Sequence, residues 1–566
     1  MFKHRFLDRC FARLARFRAT GVALFAILFA LHIPANAPRA AENTATGIIQ
    51  YSAPAIRPVV GVGNTAARHG EYDRFDLDAD FSESVIDTAL FPLNVGLYAL
   101  DKRLPDAKAF LVAGDRILLA DRTGGFAEID MRDAVPAFRA LPLRIDLHED
   151  QLLAFAAGRG VVDLYLLRIL DLASLNEGRQ FAVSYTRWDE AKKCVSLFVA
   201  VNDLPADWRA IDPSGWRIIF ESLPCLPLRL DGTSLFAGHQ AGGRLLETAP
   251  GKLVLTIGDF EYDGVNRTPI HPQDLTSDYG KVFEIELRTG ARTLLSLGHR
   301  NPQGLTVDAK GRLWSTEHGP HGGDELNLIV PGSNYGWPLM TYGVNYEGGA
   351  WPLSSRHGRH DDPAYRAPKY AWAPSIGVSD LIAVRKFTPE WEGDLLVTSL
   401  RGEQLRRLRV DGESIVCDEP IGLEERLRDI GQLADGRIVL LTDTDKFAVL
   451  EKRMDEGSEL DRRIAAFPAK LRATIQACRQ CHSLRNGAGN GSKIGLAGIY
   501  GRNIGSGRAA LYSKTLKLRP GMWDDKNLDA FLASPERWAP GTTMEFSGIE
   551  DDHIRASLIG FLRTLN

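Results

Sequence analysis

Gly298-His299-Arg300-Asn301-Pro302-Gln303-Gly304-Leu305 runs on through Glu317-His318-Gly319-Pro320-His321-Gly322-Gly323-Asp324-Glu325 to Asn334-Tyr335-Gly336-Trp337-Pro338. This stretch strings turn-forming Gly and Pro between polar side chains, where a segment that only had to fold would carry more alternating apolar residues. His299, Arg300, Asn301, Glu317, His318, Asp324 and Glu325 put cationic donors and oxygen acceptors on loops flanking a short strand expected at Leu313–Ser315. Such loops suit an anionic ligand and a hard cation held side by side.

Outward from this stretch a weak repeat appears. A Gly-containing turn followed by an apolar strand recurs at Gly114-Asp115-Arg116, Glu177-Gly178-Arg179, Pro250-Gly251-Lys252, Lys310-Gly311-Arg312, Glu392-Gly393-Asp394 and Asp435-Gly436-Arg437. The runs that follow include Ile117–Ala120, Phe181–Tyr185, Leu253–Ile257 and Leu395–Ser399. Six such units of uneven spacing fit six antiparallel blades around an axis. Periodicity alone leaves a generic β-sandwich open.

The chain has 566 residues, more than one core organises, so two or more domains are expected. Its 54 Gly and 29 Pro suit a turn-rich all-β body. With 68 basic and 72 acidic residues the net charge is −4, which gives no reason to expect nucleic acid or an anionic membrane as partner.

Both ends differ from the body. Lys3, Arg5, Arg9, Arg13, Arg16 and Arg18 precede the apolar run Gly21–Ile33, then small residues around Ala35-Asn36-Ala37. That is the layout of a signal peptide over residues 1–41, although Pro38 obstructs cleavage and leaves an N-terminal anchor as the alternative. Either way the body is expected to be exported to the periplasm. Segment Asp455–Lys470 is charged and of helical character. Beyond it Leu528, Phe531 and Leu532 share one helical face, and Ile554, Leu558, Phe561 and Leu565 repeat at helical spacing.

Six cysteines are present: Cys10, Cys194, Cys225, Cys417, Cys478 and Cys481. In an oxidising compartment a Cys194–Cys225 disulfide is permitted, and isolated buried thiols are equally open. Cys478-Arg479-Gln480-Cys481-His482 is the attachment signature of c-type haem, in which two thiols add to the vinyl groups and the adjacent His reaches the iron. A zinc site would want two more ligands, and the tail offers only His553. Met522 and Met544 are the candidates for the opposite axial position.

The central stretch resembles the soluble aldose sugar dehydrogenase branch of the glucose/sorbosone dehydrogenase family, over residues 105–450 and most densely after Leu235. The tail resembles a class I cytochrome c. The resemblance implies an all-β six-bladed propeller at 42–454, a linker at 455–470 and a small all-α cytochrome c domain at 471–566. It also implies three cofactors: pyrroloquinoline quinone (PQQ), haem c and Ca²⁺.

Residue by residue, Gly238-His239-Gln240-Ala241-Gly242-Gly243-Arg244-Leu245 resembles the segment that carries the family's catalytic His, which makes His239 the expected base. Arg300 and Asn301 match an Arg-Asn pair beside the reactive carbonyl. Arg426 and Arg428 match an Arg-x-Arg pair, whose alternation permits a shared ligand. Arg401 falls where glucose-oxidising relatives have Lys, and Tyr346 matches a further PQQ contact. One calcium would take the carbonyls of Gly319 and Pro320; a second would take Glu325 and the carbonyl of Tyr335. Cys478 and Cys481 would hold the haem, with His482 and Met544 on the iron, because Gly541-Thr542-Thr543-Met544-Glu545-Phe546 resembles the Met loop.

The resemblance departs in the first blades. Asp121-Arg122-Thr123-Gly124-Gly125 resembles the family's first turn, but the Gly-Leu-Leu segment that should follow is absent and Gln151 stands as a substitute contact. Gly238 replaces the acidic residue that precedes the base in glucose-oxidising relatives. The expected activity is that of a quinohaemoprotein oxidising a sugar or alcohol hydroxyl. Its electrons would pass through the haem to a soluble cytochrome or terminal oxidase. The alternative is a degenerate, non-catalytic propeller that binds carbohydrate or a protein partner, with an electron-relay cytochrome.

Overall fold

The six glycine turns each join the first two strands of a different antiparallel sheet. In the computed structural model the glycines Gly114, Gly178, Gly251, Gly311, Gly393 and Gly436 all have positive φ, between 66° and 96°, a conformation costly to any residue with a Cβ. The model describes residues 50–51, 57–58, 75–77, 82–100, 104, 106–133, 135–228, 236–354, 362–453, 459–479, 482–484, 495–506, 512–542, 544 and 546–565. By its contacts the chain divides into Met1–Ala45, which lies outside these residues together with the expected leader, and Thr46–Asn566.

The first blade orders its strands Ala107–Ala113, Arg116–Asp121, Gly125–Asp130 and Ala137–Arg144 from the inside outward. The second begins at Ile169–Leu175, the third at Gly242–Ala249, the fourth at Pro302–Val307, the fifth at Val378–Ala383 and the sixth at Leu427–Gln432. These six opening strands pack edge to edge in sequence order, and the sixth returns to the first. The expected β-sandwich alternative is thereby excluded. Strands such as Arg116–Asp121 and Leu395–Ser399 are covered on both faces, so they read as unbroken apolar runs.

Closure of the ring uses the N-terminal side of the chain. Lys446–Lys452, the third strand of the last blade, pairs with Pro92–Ala99, which pairs in turn with Ser82–Asp87.

At the axis one guanidinium gathers the blades. Arg244 on the third blade reaches Asp171 on the second at 2.8 Å, Asp429 on the sixth at 2.9 Å and Asp380 on the fifth at 3.4 Å. Its Nε donates to the Gln303 carbonyl on the fourth at 2.8 Å. Asp429 also accepts from the Phe110 backbone N–H on the first, at 3.1 Å. All six blades therefore meet in one hydrogen-bonded knot.

Cys194 and Cys225 form a disulfide with their Cα atoms 5.6 Å apart, tying the start of strand Cys194–Asp203 to strand Leu226–Pro227 beside it. Cys417 takes no part in a disulfide among the described residues. The bridge spans 31 residues of sequence, for which loop-closure entropy gives about 3–4 kcal/mol. Cys225→Ser is accordingly expected to lower unfolding free energy by about that amount in denaturant titration, and dithiothreitol to produce the same loss in the parent protein.

Beyond the propeller the chain is helical. The helices after α1 (Glu149–Ala156) are α2 (Glu459–Ala465), α3 (Ala469–Arg479), α4 (Lys514–Leu518), α5 (Asp525–Ala533), α6 (Pro535–Trp538) and α7 (Asp552–Arg563). α7 packs on α3 and α5 around Ile475, Leu528, Leu558, Ile559 and Leu562. α2 lies inside the stretch expected as linker, and its Ile464 joins this core. Arg479 at the end of α3 pairs with Asp461 at 2.9 Å and donates to the Leu90 carbonyl at 2.7 Å, next to the ring-closing strands.

Candidate active site

Loops at the ends of the inner strands surround a cavity of about 670 Å³. That is within the roughly 300–1,000 Å³ usual for cofactor-sized pockets. His239, Arg300, Asn301, Gly319, Pro320, Tyr346, Arg401 and Arg428 all line it. Residues drawn from the third to the sixth blade, separated by up to 189 positions (239 to 428), thus converge on one space.

His239 stands at the mouth with 57% of its side chain exposed. Its Nδ1 faces Glu261 Oε1 at 3.6 Å, and its ring lies against that of Tyr165, centroids 5.8 Å apart. Burial works against the Glu261 charge, but the hydrogen-bonding and charge of His239, with Arg267, more than offset it and hold the carboxyl below its ordinary range. The pair can keep Nδ1 protonated and leave Nε2 as the acceptor.

Arg300 is buried and braced. Its Nη1 donates to the carbonyls of His318 at 3.2 Å and Gly319 at 2.8 Å, while its Nε is buried without a hydrogen-bond partner among the described residues. With the Gln240 amide in its better orientation, the side-chain oxygen accepts from Arg300 Nη2 at 3.1 Å and the nitrogen donates to Asp259 at 2.8 Å. Burial pushes the Asp259 carboxyl well above its usual range, only partly opposed by Arg300. Burial also brings the His318 imidazole down to about 4; Asp324 opposes this, whereas Arg300 and Arg428 add to it.

The wall carries Lys108, Arg168, Arg244, Arg300, Arg401 and Arg428, against Glu261 as the one carboxylate among the described lining residues. Arg244 is committed to the axial knot, Arg428 to Asp443 at 2.7 Å, and Lys108 to Asp106 and Asp443. Arg168, Arg300 and Arg401 form no salt bridge to a carboxylate among the described residues. A concave site with uncommitted guanidinium groups in a low-dielectric wall selects an anion.

Several expected residues stand elsewhere. Arg426 does not line the cavity: it is about half exposed and shares Asp443 with Arg428, at 3.1 Å. It precedes the strand Leu427–Gln432, whose register shifts between Leu427 and Asp429, so simple alternation does not carry it inward. His299 is fully buried between Ser296 and Glu317, both at 2.8 Å, and stacks on Tyr335. It is a core residue. Gln151 stands exposed on α1 and is not among the lining residues. Lys108, Tyr165 and Arg168 supply the side expected from the missing first-blade motif, and no sequence signal marked them.

For a cation, the oxygen-rich region lies beside Arg300. Asp324 is spent on the Ser375 hydroxyl and the Gly377 N–H, both at 2.7 Å, and on the Gly319 N–H at 3.2 Å. The Glu325 carboxyl is partly buried, pushed up to about 8 by loss of solvent and by Glu317 and Asp324, with Asn327 donating at 3.1 Å. Tyr335 is buried behind it, its hydroxyl donating to the Leu328 carbonyl at 2.5 Å. Among the described residues no group of three or more His, Cys, Asp or Glu side chains is placed to hold a metal. Any cation here would rely mainly on main-chain carbonyls, with Glu325 as the one side-chain donor expected; of those carbonyls, that of Gly319 accepts from Arg300.

In the helical part, Cys478 and Met544 both pack against the core around Ile475 and Leu558, whereas Met522 is 51% exposed. The His482 N–H donates to the Cys478 carbonyl at 3.0 Å. Cys481 lies outside the described residues.

Residues 231–451 match the family model described as glucose/sorbosone dehydrogenase. The chain is 30% identical over 254 residues to an aldose sugar dehydrogenase of Escherichia coli, covering 42% of this chain and 63% of that protein. It is 35% identical over 97 residues to cytochrome c of Ulva intestinalis, covering 17% of this chain and 87% of that protein. The fold is similar to the crystal structure of the soluble aldose sugar dehydrogenase from Escherichia coli in its apo form. The TM-score is 0.51 at 24% identity, over 63% of this chain and all of that one. The chain spans about three-fifths of the length of the first curated relatives it matches.

Proposed function

Residues 231–451 form a domain of the glucose/sorbosone dehydrogenase family and the C-terminal portion belongs with the cytochromes c; from that premise we propose an exported quinohaemoprotein that oxidises an aldose or alcohol hydroxyl. The observation that carries the reading is the shared cavity of His239, Arg300, Asn301, Arg401 and Arg428.

PQQ is a flat tricarboxylate, and its fit is judged on the donors present. Arg300, Arg401 and Arg428 offer guanidinium forks, Asn301 an amide, and Tyr346 an exposed ring stacked on His321 at the mouth. Their chemistry matches. When bound, the quinone supplies the hydride acceptor. Everything else falls to this chain's side chains. His239 Nε2 takes the hydroxyl proton while Glu261 steadies Nδ1–H, and Arg300, fixed by two carbonyls, holds its charge where negative charge develops. The Gly319 and Pro320 carbonyls would hold one calcium and Glu325 with the Tyr335 carbonyl another, a set of hard oxygen donors suited to that ion.

A c-type haem would be bound through Cys478 and Cys481, with His482 and Met544 on the iron; thioether ligation raises the potential, as an electron acceptor needs. Tethering it to the propeller raises its effective concentration at the site. A soluble cytochrome or a terminal oxidase would take the electrons onward.

Purified protein given PQQ and Ca²⁺ is expected to show its haem absorption move to the reduced position on adding an aldose. A haem that stays oxidised with every aldose and alcohol would instead favour a carbohydrate-binding propeller.

A further inference from the structure

Arg168 is a buried cation that the reading above does not use. It is 6% exposed and lies in the cavity wall. Its Nη1 donates to the Tyr165 carbonyl at 2.6 Å and its Nη2 to the Gly238 carbonyl at 2.8 Å, while its guanidinium lies 4.1 Å from the centroid of the Tyr165 ring. These partners are neutral, and Asp163 acts on it only at longer range. Burial draws the guanidinium below its ordinary pKa; Tyr165 opposes that pull, and Arg428 and Arg122 add to it. A buried charge without a counter-ion is costly, and a protein that keeps one beside a cavity is built to receive the counter-ion with its ligand.

The location identifies which ligand. Arg300 and Arg401, with Asn301 and the Asp443-paired Arg428, are already assigned to the three carboxylates of the cofactor. Arg168 is surplus to them and sits on the side of the base. Its Nη2 binds the carbonyl of the residue preceding His239, and the Tyr165 ring touches both side chains. Gly238 cannot put a side chain between them: its φ is +63°, and a Cβ would lie 2.8 Å from Leu166 Cδ1. Two of the five N–H donors of Arg168 are spent on carbonyls, which leaves donors of the fork for a planar anion.

We propose that Arg168 receives a carboxylate on the substrate, so that this site takes an acidic sugar, a uronic acid, in preference to a neutral aldose. The inference rests on the dehydrogenase reading for the orientation of the sugar beneath His239, and on the geometry of Arg168 for the charge.

The test compares glucose with glucuronate, which share the same C1 hydroxyl, on full-length protein carrying PQQ and Ca²⁺. Calorimetric affinity and haem reduction are both followed. Glucuronate should bind about tenfold or more tightly, the scale of one charge-assisted fork. Arg168→Met should erase that preference while leaving PQQ affinity within about twofold, and Arg168→Lys should restore part of it. Equal affinities in the parent protein, a comparison that needs no variant, would overturn the proposal. So would loss of PQQ affinity in Arg168→Met, which would make Arg168 a cofactor clamp. If neutral aldoses reduce the haem and glucuronate binds no better, the dehydrogenase reading stands and this inference falls. If glucuronate binds through Arg168 but no sugar reduces the haem, the anion site stands and the dehydrogenase reading falls.

Discussion

His239→Ala is expected to slow substrate-driven haem reduction by about 10²–10⁴, the usual contribution of a positioned general base, with PQQ affinity almost unchanged. His239 is largely exposed, and it braces none of the arginines assigned to the cofactor. Its removal costs the protein a proton acceptor and little packing. Stopped-flow reduction of the haem measures the first quantity, and titration of the apoprotein with PQQ the second. A variant that still turns over at the parent rate would remove His239 from the reaction. One that loses the cofactor would make it a binding residue. Glu261→Gln is the companion: it keeps the shape of the partner and removes its charge, so a smaller loss is expected.

The second large effect concerns the axis. Arg244→Met is expected to cost about 3–5 kcal/mol, because removing one partner leaves the others as buried, uncompensated charges. Asp171, Asp380 and Asp429 are each almost fully buried, and the knot they make with Arg244 is where the blades meet. Burial drives the Asp380 carboxyl well above the ordinary range; Arg244 opposes this, while Asp429 and Asp171 push the same way as burial. The protonated form of Asp380 is thereby favoured over the charged one. Asp380→Asn, which mimics that form, is expected to change stability by less than about 1 kcal/mol, within the net worth of one hydrogen bond. Denaturant titration of both variants reads the contrast. If Arg244→Met unfolds with the parent midpoint, the knot is not what holds the blades together.

The propeller was legible in the sequence because its clearest mark is local. A glycine forced to positive φ between two apolar runs needs nothing from the rest of the chain, and there is one such turn in every blade. Much of the site was legible for the same reason: Arg300, Asn301, Gly319 and Pro320 lie close together in sequence and reach one cavity. What failed was what depends on distant neighbours. Arg426 followed from a resemblance that strand alternation merely permitted, yet the strand starts after it and Asp443 captures it. His299 looked like a loop donor until Ser296, Glu317 and Tyr335 enclosed it. Arg168 carried no motif, since its meaning comes from Gly238, seventy positions later. The disulfide was undecidable until strand pairing put Cys194 next to Pro227.

The pairing of Pro92–Ala99 with Lys446–Lys452 sets an order of events in biogenesis. Segments made early must wait, with an open edge, for a partner synthesised more than three hundred residues later, and such waiting edges are where a chain aggregates. The helical tail emerges just after that partner, and its Arg479 lands on Leu90 beside the same seam. A truncation before Lys446 should therefore leave not a smaller propeller but an unlatched one, without the strand its first blade-forming residues were made to meet.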